Sequence, residues 1–350
     1  MKLLTPPELL CMPLMMQQTV IASLMDETLR FLGGSGPTPE SLSARMGQHP
    51  AVGVSYVDET GTVLQGETYT DADGEQRHRE VETEGREPQS LIAIVQLSGV
   101  MTRHGYVGWW SSSPGTNRIG RMCNKLNADP AVHTIILLVN SPGGSVTGTP
   151  ELSDIIFSIR EDERTTILTC VDDLMASAAT YVATAAEQVY SIPSAYSGSI
   201  GTIISYTSYH KYLEEAGIDV TYLRTPELKN RFTGVEPLTD AMKQTLEDRI
   251  TESQRKFDEA MARNRKVSVA SVAKKFGGGE VMRADEAVDT GLIDGIASID
   301  QIVMQQAEKI RSSQAKRRRS RQEQRLQSLV DSQSEIESEC GNEQRSSDVA

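Results

Sequence analysis

Basic charge, cysteine and long apolar runs are all scarce in this chain, and each shortage removes a class of function. Lys and Arg number 35 against 48 Asp and Glu, a formal net charge of −13. A phosphate backbone is bound through a basic field, so nucleic acid is excluded as the main ligand. The four cysteines, Cys11, Cys123, Cys170 and Cys340, are scattered, with no CxxC pair and no histidine at metal-ligand spacing. They read as isolated thiols in a reducing compartment, with no metal site. No stretch reaches the roughly 18 apolar residues of a membrane span. The N-terminus opens like a signal peptide at Met1-Lys2-Leu3-Leu4, but Pro6, Pro7, Glu8, Pro13, Gln17 and Gln18 interrupt any apolar run. Leu10 is too large for a lipoprotein cleavage site before Cys11, so an unprocessed cytosolic chain is expected.

What is present is enough apolar material for a sizeable core. At 350 residues, with 38% hydrophobic residues, the chain can form one large domain or two modest ones. Three regions are expected: an N-terminal extension over 1–90, a core over 91–302 and a charged, disordered tail over 303–350. Residues 1–35 read as helix-prone. Val52 to Val57 and Thr62-Val63-Leu64 suggest a hairpin around Asp58-Glu59-Thr60-Gly61. From Leu91 onward, strands alternate with helices. Strands are predicted at 91–97, 134–139, 165–171 and 188–191, and helices at about 117–126, 150–160 and 177–186. This alternation implies an α/β fold with a largely parallel sheet, whose ligand sites lie at the carboxyl ends of strands. Further strands are expected at 203–206 and 218–223, a helix at 209–216, and a long helix capped by Thr239 and running to about Arg265.

The tail carries Arg311, Lys316 to Arg319, Arg321 and Arg325, then an acidic, serine-rich end. It reads first as a solvated, partly helical segment with too few apolar residues to offset ordering entropy. Docking to an acidic partner or nucleic acid through 311–325 is the alternative.

Three segments carry chemistry. Ile135 to Val139 runs into Asn140-Ser141-Pro142-Gly143-Gly144; the Thr165 to Val171 strand leads to Met175-Ala176-Ser177-Ala178-Ala179-Thr180-Tyr181; and Tyr196-Ser197-Gly198-Ser199-Ile200-Gly201 follows. A serine at a helix start, beside a glycine turn able to supply a second backbone donor, suggests a serine hydrolase. Its hydroxyl needs a base. His49, His78, His104, His133 and His210 have no recognisable partner motif. A lysine can serve only when desolvation carries its amine well below the unperturbed value near ~10.4. By composition alone, Lys229 would be an ordinary surface lysine and Ser177 an ordinary small helix residue.

These segments, with Ala284-Asp285-Glu286-Ala287-Val288-Asp289-Thr290-Gly291-Leu292-Ile293-Asp294, resemble the SppA/protease IV family of serine peptidases. The likeness spans about Leu91 to Ile302. The Ala-Ser-Ala-Ala form is more similar to the phage-encoded branch, capsid maturation proteases akin to lambda protein C. The resemblance implies the ClpP/crotonase fold, a superhelix of repeated ββα units, and a Ser-Lys dyad needing no cofactor and no metal. Position by position, it implies Ser177 as nucleophile, Lys229 as a buried, uncharged general base, Gly144 and Ala178 as oxyanion-hole donors, and Ser199 as the hydroxyl that orients the lysine. Lys229 sits in the least family-like context, and Lys211, Lys243 and Lys256 are the fallback bases.

The function expected is an ATP-independent serine endopeptidase of phage head assembly. It would cleave scaffold, portal or capsid proteins in the procapsid or host cytoplasm, as a homo-oligomer without membrane attachment. A soluble bacterial signal-peptide-peptidase-like protease, cytoplasmic in that case, is the second reading. An assembly scaffold on a protease fold with little activity is the third.

Overall fold

A computed structural model describes residues 14–16, 54–64, 67–70, 76–79, 83, 85–107, 112–113 and 115–347. In chain order the strands are β1 (Leu14–Met16), β2 (Val54–Val57), β3 (Val63–Leu64), β4 (Glu67–Thr70), β5 (Gln76–Arg79), β6 (Leu91–Ser98), β7 (Tyr106–Val107), β8 (Ser112–Ser113), β9 (Val132–Ser141), β10 (Gly143–Ser145), β11 (Thr166–Ala176), β12 (Gln188–Ser191), β13 (Tyr196–Gly198), β14 (Val281–Arg283) and β15 (Gly295–Ile296). The helices are α1 (Thr116–Ala128), α2 (Thr149–Asp162), α3 (Ala178–Ala183), α4 (His210–Glu215), α5 (Asp240–Arg265), α6 (Val272–Lys275), α7 (Ala284–Thr290) and α8 (Ile299–Ser347).

Among the described residues the main sheet has nine strands, in the order β14-β13-β11-β9-β6-β2-β3, with β12 branching from β11 and β15 pairing with β12. β6, β9, β11, β12 and β13 pair in parallel, while β2, β3 and β14 add antiparallel edges. The unbroken apolar runs of β6, β9 and β11 are what a strand covered on both faces requires. Ile135, Leu137 and Val139 point to one side, packing with Ile119, Cys123 and Leu126 of α1 and Leu152, Ile156 and Ile159 of α2. Ile136, with Ile92, Leu168 and Cys170, faces the other side and is covered by α8. The hairpin forms as expected: Asp58 Oδ1 accepts from the backbone N–H groups of Thr60 (2.9 Å) and Thr62 (3.0 Å).

Burial pushes the Cys123 and Cys170 thiols up to about 12, with Asp172 and Asp300 adding to the effect at Cys170. Neither can serve as a thiolate nucleophile at neutral pH. Both are expected to resist iodoacetamide at pH 8 until urea unfolds the chain; rapid alkylation of the native protein would contradict this packing.

Several expectations need correction. Leu14–Met16, inside the stretch read as helix-prone, is a strand; the rest of 1–35 lies outside the described residues. Neither 203–206 nor 218–223 forms a strand. Ile203, Ile218 and Val220 stay exposed, because β-branched residues favour strands only where a neighbouring surface covers them. The boundary expected at 303 falls inside a helix. Ile302, Val303, Ala307 and Ile310 recur with helical spacing and are buried against the sheet, so α8 begins as part of the core. Beyond them the helix continues to Ser347. Part of its basic cluster serves the fold: Arg311 donates to the Glu59 carbonyl (3.0 Å) and Arg317 to Gln89 Oε1 (2.6 Å).

Burial, reinforced by Lys309 and Arg317 of α8, holds the His133 imidazole below its ordinary value. The unfolded chain then binds that proton more tightly than the folded one. Stability should fall as pH drops below about 6.5, until the lowered folded value is reached. In His133→Gln, the urea midpoint should lose less than in wild type as the pH drops below about 6.5. Identical acid sensitivity would remove His133 from the account.

Candidate active site

The site grows from the ends of two adjacent parallel strands. β9 and β11 are paired as far as Met175↔Ser141, so Gly143-Gly144 and Ser177 leave the sheet at the same carboxyl edge. α3 and β10 pack against one another there. A ladder irregularity between Val171 and Met175 lets β11 pair first with β12 and then with β13, which brings Gly198 beside Ala176.

Ser177 forms a sharp turn between β11 and α3. Its φ of 56° lies in the left-handed region, which non-glycine residues enter at a cost. Two hydrogen bonds fix that backbone: the Ser177 N–H donates to the Gly198 carbonyl (2.8 Å), and the Ser177 carbonyl accepts from the Tyr181 N–H (3.0 Å). The Thr180 hydroxyl braces the turn from within, lying 2.8 Å from both the Met175 and Gly198 carbonyl oxygens. Its single proton serves one of them at a time. The Ser177 side chain is buried, and Oγ makes one long contact, 3.5 Å, to the Gly201 carbonyl. At that length the hydroxyl is weakly held and free to turn.

Because the Ser177 N–H is spent on Gly198, the first uncommitted amide is that of Ala178. It opens α3, where helix geometry leaves the N–H without an intrahelical acceptor. On β10, the Gly143 carbonyl accepts from Met101 N–H and the Ser145 N–H donates to the Met101 carbonyl, both at 2.8 Å. Strand alternation therefore turns the Gly144 N–H and carbonyl toward the opposite edge. Only glycine fits there, since a Cβ at 144 would overlap the Met101 backbone, its nitrogen at 2.6 Å. Gly144→Ala is expected to shift β10 and lower hydrolysis by about 10²–10³, the usual loss of one oxyanion donor. Unchanged kcat would exclude the Gly144 amide from the site.

Ser199 lies just past β13 with φ of 53°, its N–H donating to the Glu280 carbonyl (2.7 Å). Lys229 is placed differently from the expectation of a buried amine. Within a single chain it is exposed, on a loop held by its own turn, with the Lys229 N–H donating to the Pro226 carbonyl (3.0 Å). Among the described residues, no hydrogen bond or ion pair joins its amine to Ser177 or Ser199. The fallback lysines come no closer to the role: Lys211 is exposed, Lys243 pairs with Glu247 (3.7 Å) and Lys256 with Glu252 (3.4 Å). Of the described histidines, His104 contacts Asn117 and His133 contacts Thr134; none bonds Ser177.

Sequence reasoning missed the clamp behind the serine. Asn264 of α5 is buried and donates to the Tyr181 carbonyl (3.2 Å) and the Thr184 hydroxyl (3.1 Å). Tyr181 packs against Phe257 with tilted rings whose centroids are 5.0 Å apart, and its hydroxyl donates to the Lys256 carbonyl (3.3 Å). The available signal was a polar Asn264 continuing the apolar face of Phe257 and Met261.

Residues 160–312 match the model described as Peptidase family S49. This part of the chain is similar to the peptidase family S49 domain. It holds Ser177, Ala178, Ser199 and Lys229, while Gly144 precedes it. The mostly parallel α/β sheet is the ClpP/crotonase-like architecture of that family. Similar curated proteins include "Capsid assembly protease C" of Escherichia phage lambda, 27% identical over 208 residues, covering 59% of this chain and 46% of that protein. "Head-tail preconnector protein GP5" of Enterobacteria phage P21 is 26% identical over 223 residues, 63% of this chain and 44% of its own length. "Putative signal peptide peptidase SppA" of Enterococcus faecium is 27% identical over 173 residues, 49% of each chain. The chain thus spans about half the length of these relatives.

Proposed function

We propose that this chain is an ATP-independent serine endopeptidase with a Ser-Lys dyad, acting on proteins of a phage head during assembly. The observation that carries the reading is the left-handed turn at Ser177, whose buried hydroxyl stands at the start of α3 beside the glycine strand β10. In this account Ser177 Oγ attacks the substrate carbonyl carbon while Lys229 Nζ takes its proton. The Gly144 and Ala178 amides receive the developing oxyanion, where preorganised donors lower the barrier most. Lys229 then protonates the leaving amine, and water repeats the sequence on the acyl-enzyme. Ser199 orients the lysine. The phage context is supported by the similarity to the lambda and P21 proteins, and the substrates proposed are scaffold, portal or capsid components.

The exposure of Lys229 gives the proposal a further element. A lysine acts as a base near neutral pH only after desolvation. Its loop belongs to a segment, 203–238, rich in exposed apolar side chains, among them Leu223 (96%), Tyr212 (70%) and Leu228 (66%). Large apolar side chains left in water favour association where a partner surface can cover them. The base is accordingly supplied by a neighbouring copy, with Lys229 of one chain meeting Ser177 of the next in a closed homo-oligomer. Specific activity should rise with protein concentration across the assembly transition seen by sedimentation. Full activity in a monomer would overturn the shared dyad.

A further inference from the structure

The edge of β10 that carries the outward-facing Gly144 amide is not open. β1 pairs with it antiparallel, in the register Leu14↔Ser145, Met15↔Gly144 and Met16↔Gly143. The other edge of β10 is committed to Met101, which takes the Gly143 carbonyl and the Ser145 N–H. What remains for β1 is the Gly144 N–H and carbonyl, facing Met15. An extended segment from far upstream in the chain therefore lies against the Gly144 amide that the proposed function assigns to the oxyanion. Strand addition of this kind is a general mode of peptide recognition, with main-chain hydrogen bonds supplying affinity.

The segment has features of a displaceable ligand. Among the described residues it pairs only with β10, and its two-stranded sheet is separate from the nine-stranded one. A single three-residue strand contributes few ladder bonds, each worth little net of water. Its sequence, Pro13-Leu14-Met15-Met16 followed by Gln17-Gln18, is apolar and uncharged, and a proline precedes the pairing residues.

We propose that the β1-paired edge of β10 is a binding site for extended, uncharged peptides with large apolar residues, and that Leu14–Met16 is its resident occupant. The occupant is autoinhibitory: it covers the Gly144 amide, and an incoming substrate must displace it. This rests on the reading of Gly144 and Ser177 as parts of one active site, although occupancy of the edge can be measured without catalysis.

The full chain is compared with two proline variants. Met15→Pro deletes the N–H that faces Gly144, whereas Met16→Pro deletes one that alternation turns away from β10. A fluorescein-labelled peptide of residues 12–19 is titrated into each by anisotropy, and a fluorophosphonate probe measures the labelling rate of Ser177. The expected result is about tenfold tighter peptide binding to Met15→Pro than to wild type, the factor carried by the lost ladder bonding to Gly144. Met16→Pro should bind as wild type does, and Ser177 labelling in Met15→Pro should accelerate in proportion. Equal peptide affinity in all three proteins, or no binding to any, overturns the proposal even when Ser177 labels normally. Preferential binding to Met15→Pro with no labelling of Ser177 in any form upholds the occupied edge and sinks the peptidase reading instead.

Discussion

Ser177→Ala is expected to lose peptide hydrolysis by a factor on the order of 10⁴–10⁶, the range seen when a serine nucleophile is removed. Its urea midpoint should stay close to that of wild type. The turn is built from backbone: the Ser177 N–H to Gly198 and the Tyr181 N–H to the Ser177 carbonyl both survive the substitution. Alanine inherits the φ of 56° at much the same cost as serine, and the hydroxyl gives up only its long contact to Gly201. Folding should therefore change by less than about 1 kcal/mol. Cleavage retained at wild-type rate would show that another residue attacks. A collapse of the urea midpoint would show instead that the hydroxyl supports the turn.

Lys229→Ala should be comparably inactive, and the two inactive variants should rescue one another. If each site takes its serine from one copy and its lysine from the next, random mixing in equal amounts leaves about a quarter of the junctions with both native residues. Recovery of about a quarter of wild-type activity, after dissociation and reassembly, is therefore the expected outcome. No recovery from variants that demonstrably co-assemble would place the base in the same chain as its serine, or in another residue. Hydrolysis by wild type should also rise with pH as a lysine base loses its proton. A flat profile from acid to mildly alkaline pH argues against any lysine in that role.

The central sheet was legible because its strands are buried on both faces. The apolar run at 134–139 and the one before Ser177 admit little but a covered parallel strand, and both appear as β9 and β11. Thr239 was readable as a cap because a threonine before an amphipathic run has a local role; its Oγ1 accepts from the Met242 N–H at 3.3 Å. Where the reading failed, the deciding surface was not local. Ile218 and Val220 have strand-forming side chains, but no neighbouring strand receives them. The start of α8 was taken for tail because its charged positions dominate the composition. Its buried residues (Ile302, Val303, Ala307 and Ile310) acquire meaning only once Ile92, Ile136 and Leu168 present a face to cover. Gly144 and Ser177 stood out in sequence as a glycine turn and a lone serine among small residues. The Thr180 brace and the Asn264 clamp could not, since both depend on carbonyls brought near by the completed fold.

The account depends above all on one serine hydroxyl, held by the left-handed turn between β11 and α3, being the nucleophile that a base activates. Incubation of the protein with a fluorophosphonate probe, followed by peptide mapping, tests that most directly. A single adduct on Ser177, absent from Ser177→Ala and slowed in Lys229→Ala, is the predicted result. An adduct on a different serine, or active hydrolysis with Ser177 unlabelled, would contradict it.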